Sequence, residues 1–274
     1  VYPLHLNEYF RFQSITPGFY GAQQKAQTIS TLHQFLKNGG FPETTNLSDE
    51  VRTRLLQSYF NTMMYRDIIE RYKVTDVRVL KFFLKKVFTN ITKPFSVNKI
   101  YRELKSMGYK ISNNYLYTFM DYGQAVFLFF AVPRFSYSEI KQEKSDKKMY
   151  AIDTGLINAI EYNLSENKGK LLENAVALEF LKQNKPISYF KDRYECDFIV
   201  KDKQELQAVQ VAWQMDDPNT AERENRGLAE ACRAIDAQHG IIITFEQKKS
   251  YEYQGIHIDQ VPMYEYFLTR ARHE

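Results

Sequence analysis

The 274-residue sequence predicts a mixed α/β fold, α+β overall, and three observations lead to that prediction. Apolar residues recur every three or four positions in the first half, which is typical of helices with one buried face. In the second half, short apolar runs separated by polar turns alternate with helical patterns, as in an α/β unit. A hydrophobic content of 44% with 26% charged residues indicates a globular chain with more than one core.

The N-terminal part, residues 1–90, is predicted to be mainly helical. Residues 1–12 have the pattern of a strand that runs into a short helix. The GGFP sequence at 39–42 predicts a break between helical stretches, because glycine ends helices and proline cannot extend one. Apolar residues at three- and four-residue spacing then predict helices over residues 48–72 and 76–90.

A helix-turn-helix is the clearest local signal in the second part, residues 91–154. Ser96 begins a helix that is predicted to reach Met107, and Gly108 supplies the turn. Ser112 is placed to cap a second helix, because a serine just before an apolar helical pattern is a common N-cap. A helix, a short glycine-containing turn and a second helix are what this motif requires.

Two strand-like runs complete the second part as a winged helix. They cover residues 125–132 and 148–152, and a polar, lysine-rich stretch at 136–147 lies between them. This stretch is predicted to be the wing, a loop that connects the two strands. A winged helix either binds nucleic acid or joins domains, and the sequence leaves both roles open.

DNA is the partner that the charge of the second part favours. Residues 66–150 hold 17 Lys/Arg against 8 Asp/Glu, a net charge of +9, and basic surfaces bind phosphates. Asparagine reads adenine in the major groove, and lysine holds the backbone. A partner protein or a second copy of the chain is the alternative. The candidate DNA-binding residues are Lys99, Arg102, Lys105, Lys110, Asn113, Asn114, Tyr115 and Thr118.

The third part, residues 155–274, is predicted to be an α/β unit. Residues 194–274 hold 9 Lys/Arg against 15 Asp/Glu, a net charge of −6. An acidic surface repels the DNA backbone, so this part is not expected to bind DNA. The predicted elements are a helix at 170–183, strands at 187–191, 194–200 and 206–213, a helix at 218–237, strands at 240–245 and 256–261, and a short helix that ends near residue 272.

The hairpin at 194–213, YECDFIVKDKQELQAVQVAW, resembles the one that carries the metal site in the PD-(D/E)XK nuclease fold. The resemblance implies a restriction-endonuclease-like α/β domain, in which an acid on one strand faces an acid-x-lysine pair on the next. Asp197 matches the first acid, and Glu173 matches an extra carboxylate on the preceding helix. Gln210 and Ala212, however, replace the pair. The site is therefore expected to be vestigial, with no assignable catalytic residue and Asp197 as a weak metal candidate.

Two interpretations of Asp197 stay open. A cation relocated from Lys191, Arg193 or Arg223 would restore a divalent-metal-dependent DNA nuclease. Otherwise Asp197 is a structural carboxylate, buried and hydrogen-bonded to the N-terminus of a neighbouring helix.

Several short segments, taken in order, resemble one prokaryotic family of AAA-type ATP-binding proteins. In that family an ATPase module is followed by a conserved C-terminal domain of unknown function. The resemblance implies that the first segment ends the ATPase core and that the second lies in its helical lid. The segments are YPL at 2–4 with EY at 8–9, GGFP at 39–42, YRDI at 65–68, YAIDTGL at 150–156, GKLLENAV at 169–176, and ECDFIV at 195–200 with QV at 210–211.

The sequence has no phosphate-binding loop. A Walker A loop needs Gly-x-x-x-x-Gly-Lys-Ser/Thr, because backbone N–H groups and the lysine cradle phosphates. At Gly169 and Lys170 no glycine lies five residues earlier, and Leu171 replaces the hydroxyl residue, so a helix start is predicted. The resemblance implies that ATP and Mg²⁺ belong to a missing ATPase core. This chain, which begins with Val1, is expected to be part of a longer protein.

The favoured function is non-catalytic: a C-terminal accessory region of such an ATP-binding protein, engaging DNA or a partner protein through the winged helix. A relocated nuclease and a pure assembly module are the alternatives. A cytoplasmic location without a membrane partner is expected, since the two cysteines have no paired spacing and the longest apolar run, 125–132, is too short to span a bilayer. The histidines, which show no ligand spacing, are His5, His33, His239, His257 and His273.

Overall fold

The computed structural model of the chain describes residues 3–161 and 167–270, and it confirms the mixed α/β fold. The helices are α1 (Leu6–Phe12), α2 (Ala22–Asn38), α3 (Asp49–Thr62), α4 (Val77–Thr89), α5 (Val97–Ser106), α6 (Asn113–Ala125), α7 (Glu139–Lys144), α8 (Thr154–Ile160), α9 (Lys168–Lys182), α10 (Pro218–Ala234) and α11 (Met263–Arg270). The strands are β1 (Pro94–Phe95), β2 (Phe129–Val132), β3 (Lys147–Ala151), β4 (Ile187–Lys191), β5 (Glu195–Asp202), β6 (Glu205–Ala212), β7 (His239–Thr244), β8 (Lys249–Tyr253) and β9 (Ile256–Pro262). Within these described ranges, no helix is both long and apolar enough to cross a membrane.

The N-terminal part is helical, as predicted, but the strand predicted before α1 is wrong. Residues 3–5 are irregular, and residues 1–2 lie outside the described part of the chain. The chain crosses Gly40 instead of pairing with a strand: the Leu4 N–H donates to the Gly40 oxygen at 2.7 Å. A Cβ at position 40 would lie 2.2 Å from the Leu4 oxygen, so only glycine allows this crossing.

The two long helices predicted in this part are confirmed. α3 continues directly into a π-helical stretch, Met63–Glu70, so the helical pattern of residues 48–72 gives one nearly continuous helix. α4 buries the apolar face that its three- and four-residue spacing predicts. Its buried residues include Val79, Leu80, Phe83, Leu84 and Val87.

The winged helix is confirmed in its helices and in its three-stranded antiparallel sheet, β1-β3-β2. Ser112 caps α6 by accepting the Tyr115 N–H at 3.2 Å, whereas the Ser96 side chain accepts no capping bond at α5. The strand predicted at residues 125–132 begins later in the structure. β2 begins only at Phe129, because α6 extends further than predicted and Phe127 then turns the chain with a φ of 56°.

The wing is not the open loop that the sequence predicts. It contains α7 and lies against the third part of the chain. The Tyr189 hydroxyl donates to the Asp146 oxygen at 2.6 Å, and the Tyr137 hydroxyl donates to the Ala234 oxygen at 3.4 Å. The wing is therefore held on the α/β domain by both of its ends.

The third part is a six-stranded sheet with helices on both faces. The strand order is β4-β5-β6-β7-β9-β8, in which β5 and β6 form an antiparallel hairpin and β6, β7 and β9 are parallel. On one face, Leu228 of α10 packs against Ile242 and Ile258, and on the other Phe180 of α9 packs against Phe198. α8 and the polar edge strand β8 were not predicted, and α11 is described as far as residue 270.

Buried polar bonds join the three parts. Asp153 caps α8 through the Leu156 N–H at 3.1 Å and also accepts the Gly40 N–H at 2.6 Å. The Asn174 side chain on α9 bonds both the N–H of Ala151, at 2.8 Å, and its oxygen, at 3.0 Å. Groups buried in this way must keep their partners, so these bonds fix how the parts sit together.

Glu179 makes the joint to the N-terminal part sensitive to pH. Its carboxylate is buried on α9, where it accepts the Leu6 N–H at 2.7 Å, and burial raises the pKa of Glu179 to about 7. A carboxyl group whose pKa is higher in the folded than in the unfolded protein stabilises the fold below its unfolded pKa. That contribution is lost as the pH rises through the folded value.

We expect Glu179→Gln to remove this pH dependence, because glutamine keeps an oxygen for the Leu6 N–H but does not titrate. Between pH 5 and pH 8 the parent should lose on the order of 1–3 kcal/mol of stability relative to the variant. Urea unfolding at both pH values measures the difference. The exposed Glu50→Gln variant is the control, and an unchanged pH dependence in Glu179→Gln would contradict the assignment.

Candidate functional site

A cleft of about 890 Å³ opens where the β5–β6 hairpin meets α9 and α10. It contains the residues that the resemblance to nucleases singles out. The side chains that form the candidate site within this cleft include four carboxylates, so the site depends on how their charge is neutralised. The six residues of this site are Glu173, Glu195, Asp197, Gln210, Arg223 and Glu224.

The two strands of the hairpin stop pairing at this cleft. Their register ends at Phe198 opposite Val209, and side chains replace the main-chain bonds beyond it. The Asp197 N–H donates to Gln210 Oε1 at 3.1 Å, and the Val211 N–H donates to Asp197 Oδ2 at 3.0 Å. Asp197 and Gln210 are therefore brought together and buried, as predicted. The aspartate binds the adjacent strand, not the helix N-terminus that its structural interpretation expects.

The interruption also breaks the alternation of side chains along β5. Simple alternation predicts that Cys196 and Phe198 share a face of the sheet. Instead, Cys196 packs with Ile199 and Cys232 beneath α10, whereas Phe198 packs against α9. The prediction was wrong because it assumes a regular ladder through Asp197.

Lys148 supplies the positive charge at the centre of the cleft. It comes from β3 of the winged helix, and its side chain is only 1% exposed. The Nζ atom lies 2.9 Å from Asp197 Oδ1, 2.9 Å from Glu195 Oε1 and 3.1 Å from Glu173 Oε1. The ammonium group donates hydrogen bonds to Asp197 and Glu173 and forms an ion pair with Glu195.

The charges of this cluster keep Lys148 protonated. Burial lowers the pKa of Lys148, but the neighbouring Asp197 and Glu173 carboxylates outweigh burial and raise that pKa well above its usual value. Burial, followed by the charge of Asp197, raises the pKa of Glu173. The Tyr150 hydroxyl donates to Glu173 Oε1 at 2.8 Å, which gives this carboxylate a second buried donor.

The three cations considered from the sequence line the cleft, but none of them forms an ion pair with Asp197. Arg223 pairs with Glu224 at 2.5 Å, so it is not the partner of the central aspartate. Lys191 reaches only the outer oxygen of Glu195, at 3.5 Å, and Arg193 is exposed at the rim of the cleft. A cation is present at the site, but these were the wrong candidates for it.

The sequence hides Lys148 because this residue belongs to a different part of the fold. One local signal points to it: Lys148 lies in a short apolar strand whose residues from 148 to 151 are all buried. A lysine in such a position needs an acidic partner. The sequence does not point to Glu224 either, because only the packing of α10 brings it to Gln210. Gln210 Nε2 donates to Glu224 Oε2 at 2.5 Å.

The carboxylate oxygens of this cluster lie 2.9–3.1 Å from the Lys148 Nζ atom, which is farther than they would lie from a bound metal ion. Both oxygens of Asp197 already have partners, and Ala212, which is buried, adds no polar side-chain atom. Carboxylate oxygens lie about 2.0–2.6 Å from a divalent ion and hence close to one another. Among all described residues, only His239, His257 and Asp259 bring three ligand atoms within 4.8 Å of one another.

The predicted DNA-binding residues divide into two groups. Asn113 donates to Asn98 Oδ1 at 2.6 Å, Thr118 donates to the Tyr115 oxygen at 2.7 Å, and the Tyr115 ring lies 4.5 Å from that of Phe119. Asn113 joins α6 to α5, whereas Thr118 and Tyr115 make their contacts within α6. The other five are exposed on α5, α6 and the turn between them: Lys99, Arg102, Lys105, Lys110 and Asn114.

Two family models match the chain, and both describe domains of unknown function. DUF8612 matches residues 29–168, from α2 to the first residue of α9. DUF4143 matches residues 168–266, which contain α9 and the six-stranded sheet. The expectation of a conserved domain of unknown function is confirmed to this extent.

The curated relatives are uncharacterized prokaryotic proteins. Protein MJ1544 of Methanocaldococcus jannaschii is 30% identical over 98% of this chain and 63% of its own length. An uncharacterized protein of Haemophilus influenzae is 25% identical over 94% of the chain and 62% of its own length. The chain thus spans less than two thirds of either relative. No solved structure matches it significantly.

We expect Lys148→Met to destabilise the protein by about 3–5 kcal/mol, because it leaves buried carboxylates without their counter-charge. The double variant Lys148→Met/Asp197→Asn should recover part of that loss, since it removes one uncompensated charge. Urea unfolding measures both effects. Lys191→Met is the matched control, and this partly exposed lysine should change stability by less than about 1 kcal/mol. A Lys148→Met variant as stable as the parent would show that the ammonium does not hold the site.

Proposed function

We propose a function from the premise that the chain belongs to the DUF8612 family, a domain of unknown function that is followed here by DUF4143. The chain is a non-catalytic accessory module that binds DNA through its winged helix. Its nuclease-like α/β domain holds that winged helix in a fixed orientation.

The position of Lys148 is the single observation that carries this proposal. Its Nζ lies 2.9 Å from Asp197 Oδ1, at the centre of the carboxylates that a nuclease of this fold would use for Mg²⁺. A metal ion would have to displace a buried ammonium group that is paired with three carboxylates. Removing one side of a buried ion cluster is strongly unfavourable, so the acidic site is used for structure.

The exposed charge of the second part supports DNA as the partner. Lys148 is buried and contributes nothing to an outer surface, but the lysine and arginine side chains of α5 stay exposed. Asn114 is exposed in the first turn of α6, the end that meets base edges in helix-turn-helix docking. Because the wing is held on the α/β domain, the two helices make most of the contacts. Binding is therefore mainly to phosphates, weak and salt-dependent.

The remaining third of the parent protein is proposed to be an AAA-type ATPase, from the resemblance of the short segments described above. ATP and Mg²⁺ bind to that remaining part and not to this chain. Lys170, in the nearest Gly-Lys pair, is occupied with Glu161 Oε1 at 2.6 Å and with the Phe88 oxygen at 3.1 Å. A cytoplasmic location belongs to the same proposal.

A DNA nuclease is the second candidate, and one observation favours it. The lysine that position 212 lacks is supplied by Lys148, and Glu224 adds a carboxylate beside Gln210. The cluster therefore holds the residue types of a nuclease site. Its carboxylate oxygens, however, accept hydrogen bonds from Lys148 and Gln210 and are not open to a metal ion.

Supercoiled plasmid should stay intact when the protein is incubated with Mg²⁺ or Mn²⁺, because the acidic site is closed by Lys148. Agarose gels of the parent and of Asp197→Ala provide the measurement. Indistinguishable gels agree with the non-catalytic function. Cleavage by the parent that is absent in Asp197→Ala would establish the nuclease instead.

Replacing Lys99, Arg102 and Lys105 together by alanine should weaken DNA binding at least about tenfold at low salt and flatten its salt dependence, since each lost phosphate contact releases one counterion fewer. Fluorescence anisotropy of a labelled duplex at about 50 mM and about 200 mM salt measures both changes. The effect should be similar on every DNA sequence, whereas Asn114→Ala should matter only on a preferred sequence.

The matched control replaces three exposed lysines of the α/β domain by alanine, namely Lys201, Lys203 and Lys249. It removes the same charge from the acidic part and should bind DNA as the parent does. If both triple variants bind like the parent, the winged helix is a domain joint, and the assembly function replaces DNA binding.

A further inference from the structure

Two histidines that lie far apart in the sequence meet on the six-stranded sheet. His239 begins β7, and the parallel register of β7 and β9 places it opposite His257. Their rings stack with centroids 5.6 Å apart and planes 24° from parallel. The sequence shows no ligand spacing for these histidines, because only strand pairing brings this pair together. His273 lies outside the described residues.

Asp259 completes a group of three potential ligands. It follows His257 by two residues in β9, so both side chains point to the same face of the sheet. Asp259 Oδ2 lies 2.9 Å from His239 Nε2, and Asp259 Oδ1 lies 3.5 Å from His257 Nε2. One ligand atom from each of the three residues falls within 4.8 Å of the others.

The geometry points to a binding site for a late first-row divalent cation of the Zn²⁺ class at His239, His257 and Asp259. Ligands at about 2.0–2.1 Å from a tetrahedral zinc ion are about 3.3 Å apart, so small rotations of these side chains suffice. Two imidazoles and one carboxylate favour zinc-like ions, whereas Mg²⁺ and Ca²⁺ prefer oxygen ligands alone.

The surroundings support ligand binding at this position. Glu252 Oε1 lies 2.8 Å from His257 Nδ1, the ring nitrogen that faces away from Asp259. A carboxylate at that nitrogen orients a metal-binding imidazole and makes it more basic. The side chains of His239, His257 and Asp259 are 43%, 47% and 36% exposed, so an ion reaches them from solvent and water completes its coordination.

The neighbouring positive charge is already paired. A cleft of about 640 Å³ beside the site contains Lys248, whose Nζ lies 2.5 Å from Glu265 Oε2. This ion pair keeps the Lys248 ammonium group on Glu265, and the Ser250 hydroxyl donates to Asp259 Oδ1 at 2.5 Å. The site lies on β7 and β9, and its residues are not part of the Lys148 cluster, so the inference does not depend on the proposed DNA-binding function.

Zinc titration by isothermal calorimetry tests the site on the whole chain. The parent should bind one Zn²⁺ with micromolar or tighter affinity, and Co²⁺ should give the visible absorption of a tetrahedral or five-coordinate site with nitrogen and oxygen ligands. His239→Ala and His257→Ala should each bind more than about tenfold more weakly, and Glu252→Gln should weaken binding by about tenfold. Mg²⁺ should give no comparable heat.

His33→Gln is the matched control, because it removes a histidine that packs against Trp213 away from the site. It should bind Zn²⁺ as the parent does, and circular dichroism should show that all variants keep the parent fold. Absence of Zn²⁺ binding by the parent would overturn the inference. Binding that persists unchanged in both His239→Ala and His257→Ala, or equal binding of Mg²⁺, would overturn it as well.

Discussion

The buried ammonium group of Lys148 is the interaction on which the arrangement of the winged helix and the α/β domain depends. Glu173, Glu195 and Asp197 come from a helix and a strand of one domain, and Lys148 comes from a strand of the other. Separating the two domains would take the Lys148 ammonium group away from all three carboxylates. Because uncompensated buried charge is so unfavourable, the domains behave as one rigid unit around this cluster.

Smaller joints of the same kind hold the other parts in place. Gly40 binds Asp153, and Ala151 binds Asn174 through two bonds, so buried polar groups are satisfied only when the parts are docked. These joints coincide with the GGFP, YAIDTGL and GKLLENAV segments by which the chain resembles ATP-binding proteins. The buried polar residues of these segments therefore dock the parts of the chain onto one another.

The winged helix and the α/β domain carry surfaces of opposite charge. The basic side chains of α5 face solvent, whereas much of the acidic charge around the hairpin is turned inward onto Lys148. Under the proposed DNA-binding function, phosphates meet the exposed basic side chains of α5, whereas the carboxylates of the cleft are paired with Lys148. The wing, held on the α/β domain through Tyr189 and Tyr137, limits any movement between the two surfaces.

Sequence by itself determined the elements whose patterns are local. Helical spacing located α3 and α4, the Ser112 cap and Gly108 located the helix-turn-helix, and the apolar runs located the hairpin with Asp197 and Gln210. Tertiary structure alone decided what neutralises Asp197 and where His239 and His257 meet. The physical reason is that a lysine in a distant strand, or two histidines on paired strands, leave no periodic or spaced pattern. Their chemistry exists only after long-range packing has set the distances between them.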